Sequence, residues 1–184
     1  LTLFGMKLTA AQFGSANAIF IILLSPLFAL MWPALLSHNI EPSTPAKFGL
    51  GIIQVGLGFG ALLIGLNNPD SAGLVSAWWL VLAYFLHTSA ELCLSPIGLS
   101  AVTKLSIARY VGVMMGAWFL ASAYGSYLAS ELAIFFSSIG GEDGRLNNIG
   151  FNALFTELLI YGVGMGIAVL LVSPLVRRLM KDVR

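Results

Sequence analysis

Charged residues are scarce in this chain: Lys, Arg, Asp and Glu make up only 9% of its 184 residues, whereas 58% are hydrophobic. A soluble domain needs about 25% charged residues to cover its surface. We therefore expect lipid to be the solvent for most of the chain. The net charge is only +1, and the sequence lacks a dense basic cluster with interleaved aromatic residues, so nucleic acid is not an expected partner.

Reactive and metal-binding motifs are also missing. The one cysteine, Cys93, excludes an intrachain disulfide and has no metal-ligand spacing around it. Neither Ser95 nor Ser100 lies in a Gly-x-Ser-x-Gly motif, and no His-Glu-x-x-His motif occurs. We therefore do not expect an enzyme, a metal site or a cofactor.

Five stretches are long and apolar enough to cross roughly 30 Å of hydrocarbon as helices, which takes about 20 residues each. They cover residues 12–36, 46–66, 73–103, 108–137 and 150–173. Short links rich in polar and helix-breaking residues separate them. An odd number of spans places the two termini on opposite sides of the membrane. The chain starts at Leu1 without a signal-peptide pattern, and we expect it to be part of a longer membrane protein.

Lys and Arg are distributed unequally between the two sides of the predicted bundle. One side has Lys47, Lys104, Arg109, Arg177, Arg178, Lys181 and Arg184, and the other has Lys7 and Arg145. The positive-inside rule therefore predicts a cytoplasmic C-terminus. We expect an integral protein of the bacterial cytoplasmic (inner) membrane.

Glycine is concentrated in the second and fifth spans. Pairs four residues apart, such as Gly56/Gly60 and Gly162/Gly166, let helices approach closely, and we favour packing within the bundle over a dimer interface. Polar side chains mark the first, third and fourth spans instead. This pattern predicts a cavity lined by those three helices and supported by the other two.

Glu91 lies near the middle of the third span, where an ionised side chain is costly and usually functional. Ser95 shares its helix face, and Pro96 followed by Gly98 predicts a bend. No Lys or Arg lies beyond the first two residues of any span. The partner of Glu91 should therefore be a substrate, a proton or another part of the protein. We expect His87, one turn earlier, to pack or to form a hydrogen bond rather than to bind metal.

Other polar positions in the spans have two possible roles. Trp118 and Ser122 lie one turn apart in the fourth span, where they suit either a cavity lining or ordinary packing. Asn17, in the first span, suits either a binding site or a hydrogen bond between helices. Glu131 and Glu157 lie near the outer ends of their spans, and we expect interfacial or structural roles for both.

Three stretches carry a family resemblance. They are Gln12 to Trp32, the run Glu91-Leu92-Cys93-Leu94-Ser95-Pro96-Ile97-Gly98-Leu99-Ser100 continuing to Leu105, and Gly112 to Ala121. In this order they resemble the eighth, tenth and eleventh helices of proton-dependent oligopeptide transporters, in the major facilitator superfamily. One departure is Ala18, where many members have proline. The resemblance implies an all-α membrane protein whose five helices, eight to twelve, form most of the C-terminal six-helix bundle, with the N-terminal bundle outside this chain.

The resemblance also implies a function, which is proton-coupled symport of di- and tripeptides by alternating access, with protons as the coupling ion. Asn17 and Glu91 would hold the terminal amine of the peptide. Ser95, Trp118 and Ser122 would line the central cavity, and Pro96 and Gly98 would let the tenth helix bend as the cytoplasmic gate opens. In the family, the glutamate alternates between substrate and a lysine of the N-terminal half. Two alternatives remain: a relative that carries nitrate or another small solute, and a membrane scaffold subunit that transports nothing.

Overall fold

Five long helices dominate the computed structural model, which describes residues 2–3, 6–7, 10–69, 75–138 and 144–179. The helices are α1 (Ala10–Ser37), α2 (Thr44–Asn67), α3 (Ala77–Leu105), α4 (Val111–Ser138) and α5 (Gly144–Leu179). Two antiparallel strands of two residues, β1 (Thr2–Leu3) and β2 (Met6–Lys7), precede α1, with Thr2 opposite Lys7 and Leu3 opposite Met6. Each helix contains a stretch long and apolar enough to cross a membrane. The prediction of five membrane-spanning helices is thus confirmed.

The helix ends differ in places from the predicted spans. α5 starts at Gly144, six residues before the predicted start, so that Arg145 belongs to the helix rather than to a link. A single 3-10 turn, Ala108–Tyr110, comes before α4. α5 starts early because polar residues at a membrane boundary can continue a helix beyond the apolar stretch by which we recognised it. The predicted start of the third span at residues 73–74, together with Lys181 and Arg184, lies outside the described residues.

Local sequence signals fix several helix ends. After α1, Asn39 has a φ of 58°, and the N–H groups of Asn39 and Ile40 donate to the carbonyls of Leu36 and Leu35, each at 3.0 Å. This is the Schellman arrangement, in which a left-handed residue closes the last helical turn. At the start of α3, the Ser76 hydroxyl accepts from the backbone N–H of Trp78, which is the usual role of an N-cap serine.

α2 lies between α5 and α3, and packs more extensively against them than any other pair of helices does. Its contact with α5 is made through glycine. A Cβ atom on Gly56 would lie 2.8 Å from the backbone nitrogen of Val163, and one on Gly162 would lie 2.7 Å from the Cα atom of Gly56. The two backbones therefore touch, which only residues without side chains allow. The glycines thus pack within the bundle, as expected.

An ion pair joins the link after α1 to the start of α2. The buried Lys47 pairs with Glu41, and its Nζ atom lies 4.3 Å from the centre of the Trp32 ring. Nearby, the Ser43 hydroxyl lies 2.9 Å from the hydroxyl of the buried Ser173 in α5. Lys47, which we counted in predicting the orientation, is therefore neutralised inside the protein. Six basic residues still remain on that side against two on the other.

Replacing Gly162 with leucine should destabilise the protein by about 1–3 kcal/mol or more, because the new side chain would push α5 away from the backbone of α2. Gly164→Leu is the matched control, since a Cβ atom on Gly164 would meet no atom within 4 Å. The measurement is the thermal unfolding midpoint of the purified protein in detergent. Equal midpoints for the two variants would contradict the proposed backbone contact.

Candidate functional site

The structure brings two of the predicted site residues together. Asn17 of α1 donates a hydrogen bond from Nδ2 to Oε2 of Glu91 in α3, with 3.4 Å between the two atoms. Glu91 lies fourteen residues after Ala77 and fourteen before Leu105, which is the centre of α3. Its side chain is exposed, whereas that of Asn17 is half-buried. Glu91 thus has a polar partner within its own bundle. The substrate, proton or other part of the protein that the sequence led us to expect as a partner stays a prediction.

Thr88 completes this group, and our sequence analysis missed it. Its hydroxyl donates to Oδ1 of Asn17 across 2.6 Å, and the residue is fully buried. Because Oδ1 accepts from Thr88, the amide nitrogen of Asn17 is turned towards Glu91. The signal was present in the sequence, since residues three apart on a helix share a face and Thr88 precedes Glu91 by three positions. We considered only His87, four positions before Glu91.

His87 instead belongs to the contact between α3 and α2. Its Nε2 atom lies 3.2 Å from the carbonyl oxygen of Val55, and its ring centre lies 4.7 Å from that of Phe59. The ring also occupies the space that a Cβ atom on Gly58 would need. His87 therefore has a hydrogen-bonding and packing role, as expected.

Trp118 of α4 rests on Gly98 of α3. A Cβ atom on Gly98 would overlap the indole ring, and it would also lie 3.0 Å from the Cζ atom of Phe48 in α2. We expected Gly98 to provide flexibility beside Pro96. The structure shows a second role for this glycine, because its missing side chain leaves room for the indole. α3 itself continues as a helix through Pro96 to Leu105.

The remaining predicted site residues lie further along the same two helices. Ser95 is exposed one turn after Glu91. The Ser122 side chain is exposed on α4, and its hydroxyl donates to the carbonyl of Trp118 at 3.0 Å. This bond lies within α4, so Ser122 can still accept a hydrogen bond from another molecule.

A cavity of about 560 Å³ opens where α3 and α4 meet. Phe48 and Trp118 form part of its wall, and its other lining residues include Val102, Ile107 and Tyr110. Val102 lies towards the C-terminal end of α3, and Ile107 and Tyr110 lie in the linker that follows it. The lining side chains are mainly apolar, and the cavity adjoins the contact between Trp118 and Gly98.

Taken together, these residues form an open site with one ionisable group. Glu91 presents carboxylate oxygens at the centre of a membrane-spanning helix, and one of them accepts from Asn17. A carboxylate in this setting can bind a proton or accept hydrogen bonds from a cation.

Comparison with known proteins relates this geometry to one family. The sequence model of that family, described as PTR2, POT family, matches residues 2–148. Peptide transporter YePEPT of Yersinia enterocolitica is 43% identical over 127 residues, which are 68% of this chain and 25% of that protein. Dipeptide and tripeptide permease A of Chromobacterium violaceum is 33% identical over 181 residues, which are 98% of this chain and 36% of that protein.

The fold agrees with the sequence comparison. The chain matches a crystal structure of peptide transporter POT in complex with sulfate with a TM-score of 0.78 and 36% identity, covering 98% of this chain and 34% of the other. The present chain therefore spans only about a quarter to a third of the length of the proteins that it matches.

Gly98→Ala should lower the unfolding midpoint of the purified protein, because the added methyl group would overlap the Trp118 indole; overpacking of this kind costs about 1–3 kcal/mol. The loss should be smaller in a Trp118→Phe background, since phenylalanine lacks the outer ring atoms that approach Gly98. Gly116→Ala is the control, because nothing lies within 4 Å of a Cβ atom there. An equal loss in both backgrounds would rule out the indole as the cause.

Proposed function

The chain belongs to the POT family, and on this premise we propose that the transporter to which it contributes moves di- and tripeptides by proton-coupled symport. In this proposal the five helices supply most of the C-terminal half of the substrate cavity, and alternating access takes place against an N-terminal half. The observation that carries the proposal is the Asn17–Glu91 pair, whose carboxylate lies at the middle of α3. Transporter sites of this type lie near the bilayer midplane, between the two halves.

A free peptide amine is a cation, and Glu91 offers it a carboxylate. Hydrogen bonds between an ammonium and a carboxylate are about twice as strong as neutral ones. The carboxylate oxygens that accept an ammonium are also the atoms that bind a proton. Binding of the two cations at the same carboxylate is therefore linked, and such linkage lets a proton gradient act on substrate binding and release.

The other site residues have supporting roles in this proposal. Ser95, Trp118 and Ser122 line the substrate cavity. Pro96 lacks an amide hydrogen, so α3 can bend near this position at lower cost than an uninterrupted helix. Because the indole of Trp118 in α4 rests on Gly98, a bend of α3 here would move the surface against which the indole packs. Bending would thereby change the shape of the cavity wall.

The proposed setting is the bacterial cytoplasmic membrane, with the C-terminus of the chain in the cytoplasm. The excess of Lys and Arg on one side supports this orientation. The partners are the lipid bilayer, the N-terminal half of the transporter and the peptide. In this arrangement a lysine from the N-terminal half would neutralise Glu91 when no peptide amine is bound.

Glu91→Gln should reduce pH-gradient-driven dipeptide uptake by the full-length transporter at least about tenfold, because glutamine can accept a hydrogen bond but neither attracts a cation nor takes up a proton near neutral pH. Uptake is measured in proteoliposomes with an imposed pH gradient. Glu157→Gln, which removes an exposed carboxylate from α5, should leave uptake within about twofold. Normal coupled uptake by Glu91→Gln would disprove the assigned role.

A substrate panel separates the proposal from its alternatives. A peptide carrier should be inhibited by dipeptides with a free amine and much less by the same dipeptides with an acetylated amine. Competition by nitrate would instead indicate a small-anion carrier. Absence of transport for every solute would indicate a scaffold subunit.

A further inference from the structure

We propose that Thr88 is a positioning residue, whose hydroxyl holds the Asn17 amide in place beside Glu91. This inference rests on the proposed function of Asn17 and Glu91 in holding a peptide amine. Thr88 would not touch the peptide. It would act through Asn17, from the buried side of the site.

The contact between Thr88 and Asn17 is short and shielded from water. The two oxygen atoms lie 2.6 Å apart, and Thr88 has 0% of its surface exposed. A buried hydroxyl group almost always has a hydrogen-bond partner, and a bond in such surroundings is stronger than one in water. The bond therefore restrains the rotation of the Asn17 amide more firmly than a solvent-exposed contact would.

The two ends of an asparagine amide are chemically opposite, since the oxygen accepts hydrogen bonds and the nitrogen donates them. With Oδ1 accepting from Thr88, Nδ2 donates to Glu91 at 3.4 Å. If the amide were reversed, Oδ1 would face an ionised carboxylate, and two acceptors would oppose each other. The acceptor-only carboxylate of Glu91 thus favours this orientation of the amide, and the short bond from Thr88 holds the amide there.

This orientation leaves acceptor sites for an ammonium group. The amide oxygen has two lone pairs, of which Thr88 uses one, and the carboxylate of Glu91 has further acceptor sites besides the one used by Asn17. An ammonium has three hydrogens to donate. It can therefore bond to Glu91 and to the free lone pair of Asn17 without breaking either existing hydrogen bond.

Ser89 provides a matched control on the same helix. It is the next residue along, it is also buried, and its hydroxyl donates to the carbonyl of Leu86 at 2.9 Å. Removing this hydroxyl deletes a buried hydrogen bond of α3 that does not involve Asn17. A general effect of losing a buried hydroxyl should therefore appear in Ser89→Ala as well as in Thr88 variants.

The test is dipeptide uptake by the full-length transporter in proteoliposomes, with rates normalised to the amount of folded protein. Thr88→Val should raise the KM for a dipeptide about tenfold, roughly the effect of losing one hydrogen bond at a charged group, with a smaller change in maximal rate. Thr88→Ser, which keeps the hydroxyl, and Ser89→Ala should both stay within about twofold of the unaltered protein. If Thr88→Val does not fold, Thr88→Ala tests the same loss of a donor.

A double-mutant cycle shows whether Thr88 acts through Asn17. In an Asn17→Ala background, Thr88→Val should raise KM no further. Additive effects, an unchanged KM in Thr88→Val, or an equal rise in Ser89→Ala would each overturn the inference while leaving peptide transport in place. Failure of the unaltered transporter to take up any peptide would overturn the proposed function, and the role of Thr88 with it.

Discussion

A carboxylate at the middle of a membrane-spanning helix needs hydrogen-bond donors, and this requirement organises the helices around Glu91. Within the described residues, the donor comes from Asn17, and the Asn17 amide is held in turn by the hydroxyl of Thr88. Glu91 is exposed, Asn17 is half-buried beside it, and Thr88, which bonds to Asn17, is fully buried. The polar atoms are thus satisfied by side chains of α1 and α3, while one side of the carboxylate stays accessible.

The five helices could be predicted because each is a long apolar stretch, and a chain crossing lipid must satisfy its backbone hydrogen bonds internally. Asn17 and Glu91 could be singled out because polar residues are rare in such stretches. The direction of each side chain could not be predicted in this way. Thr88 and His87 both lie about one turn before Glu91, yet one side chain reaches α1 and the other reaches α2. Helical spacing predicts that two adjacent side chains point in directions about 100° apart, but it does not predict which helix lies in each direction.

The role of Gly98 shows a second limit of the sequence. A glycine two residues after a proline is typical of a flexible helix, and nothing in the local pattern indicates that an indole from α4 covers it. The contact joins residues of different helices and follows from tertiary packing. By contrast, the glycines of α2 and α5 could be interpreted correctly, because pairs of small residues four apart are a known means of bringing helices together. The structure adds which pair of helices they join.

The contacts between helices are unevenly distributed. α2 and α5 touch along their backbones, whereas none of the α4 residues whose side chains the structure describes is buried. Segments with few buried contacts open and shift at lower free-energy cost than tightly packed ones. Trp118 on Gly98 is one of the places where a shift of α4 would be transmitted to α3.

The polar contacts at the C-terminal end of α1 restrict how this helix can move. Lys47 of α2 pairs with Glu41 in the link after α1 and also contacts the ring of Trp32 in α1. Ser43, at the start of α2, forms a hydrogen bond with Ser173 of α5. α1 is thus fastened at its C-terminal end to α2, which is joined to α5 along its length. A tilt of α1 about this end would move its N-terminal end most. The Asn17–Glu91 contact lies nearer that N-terminal end, so such a tilt would change this contact before it disturbed the contact of Lys47 with Trp32.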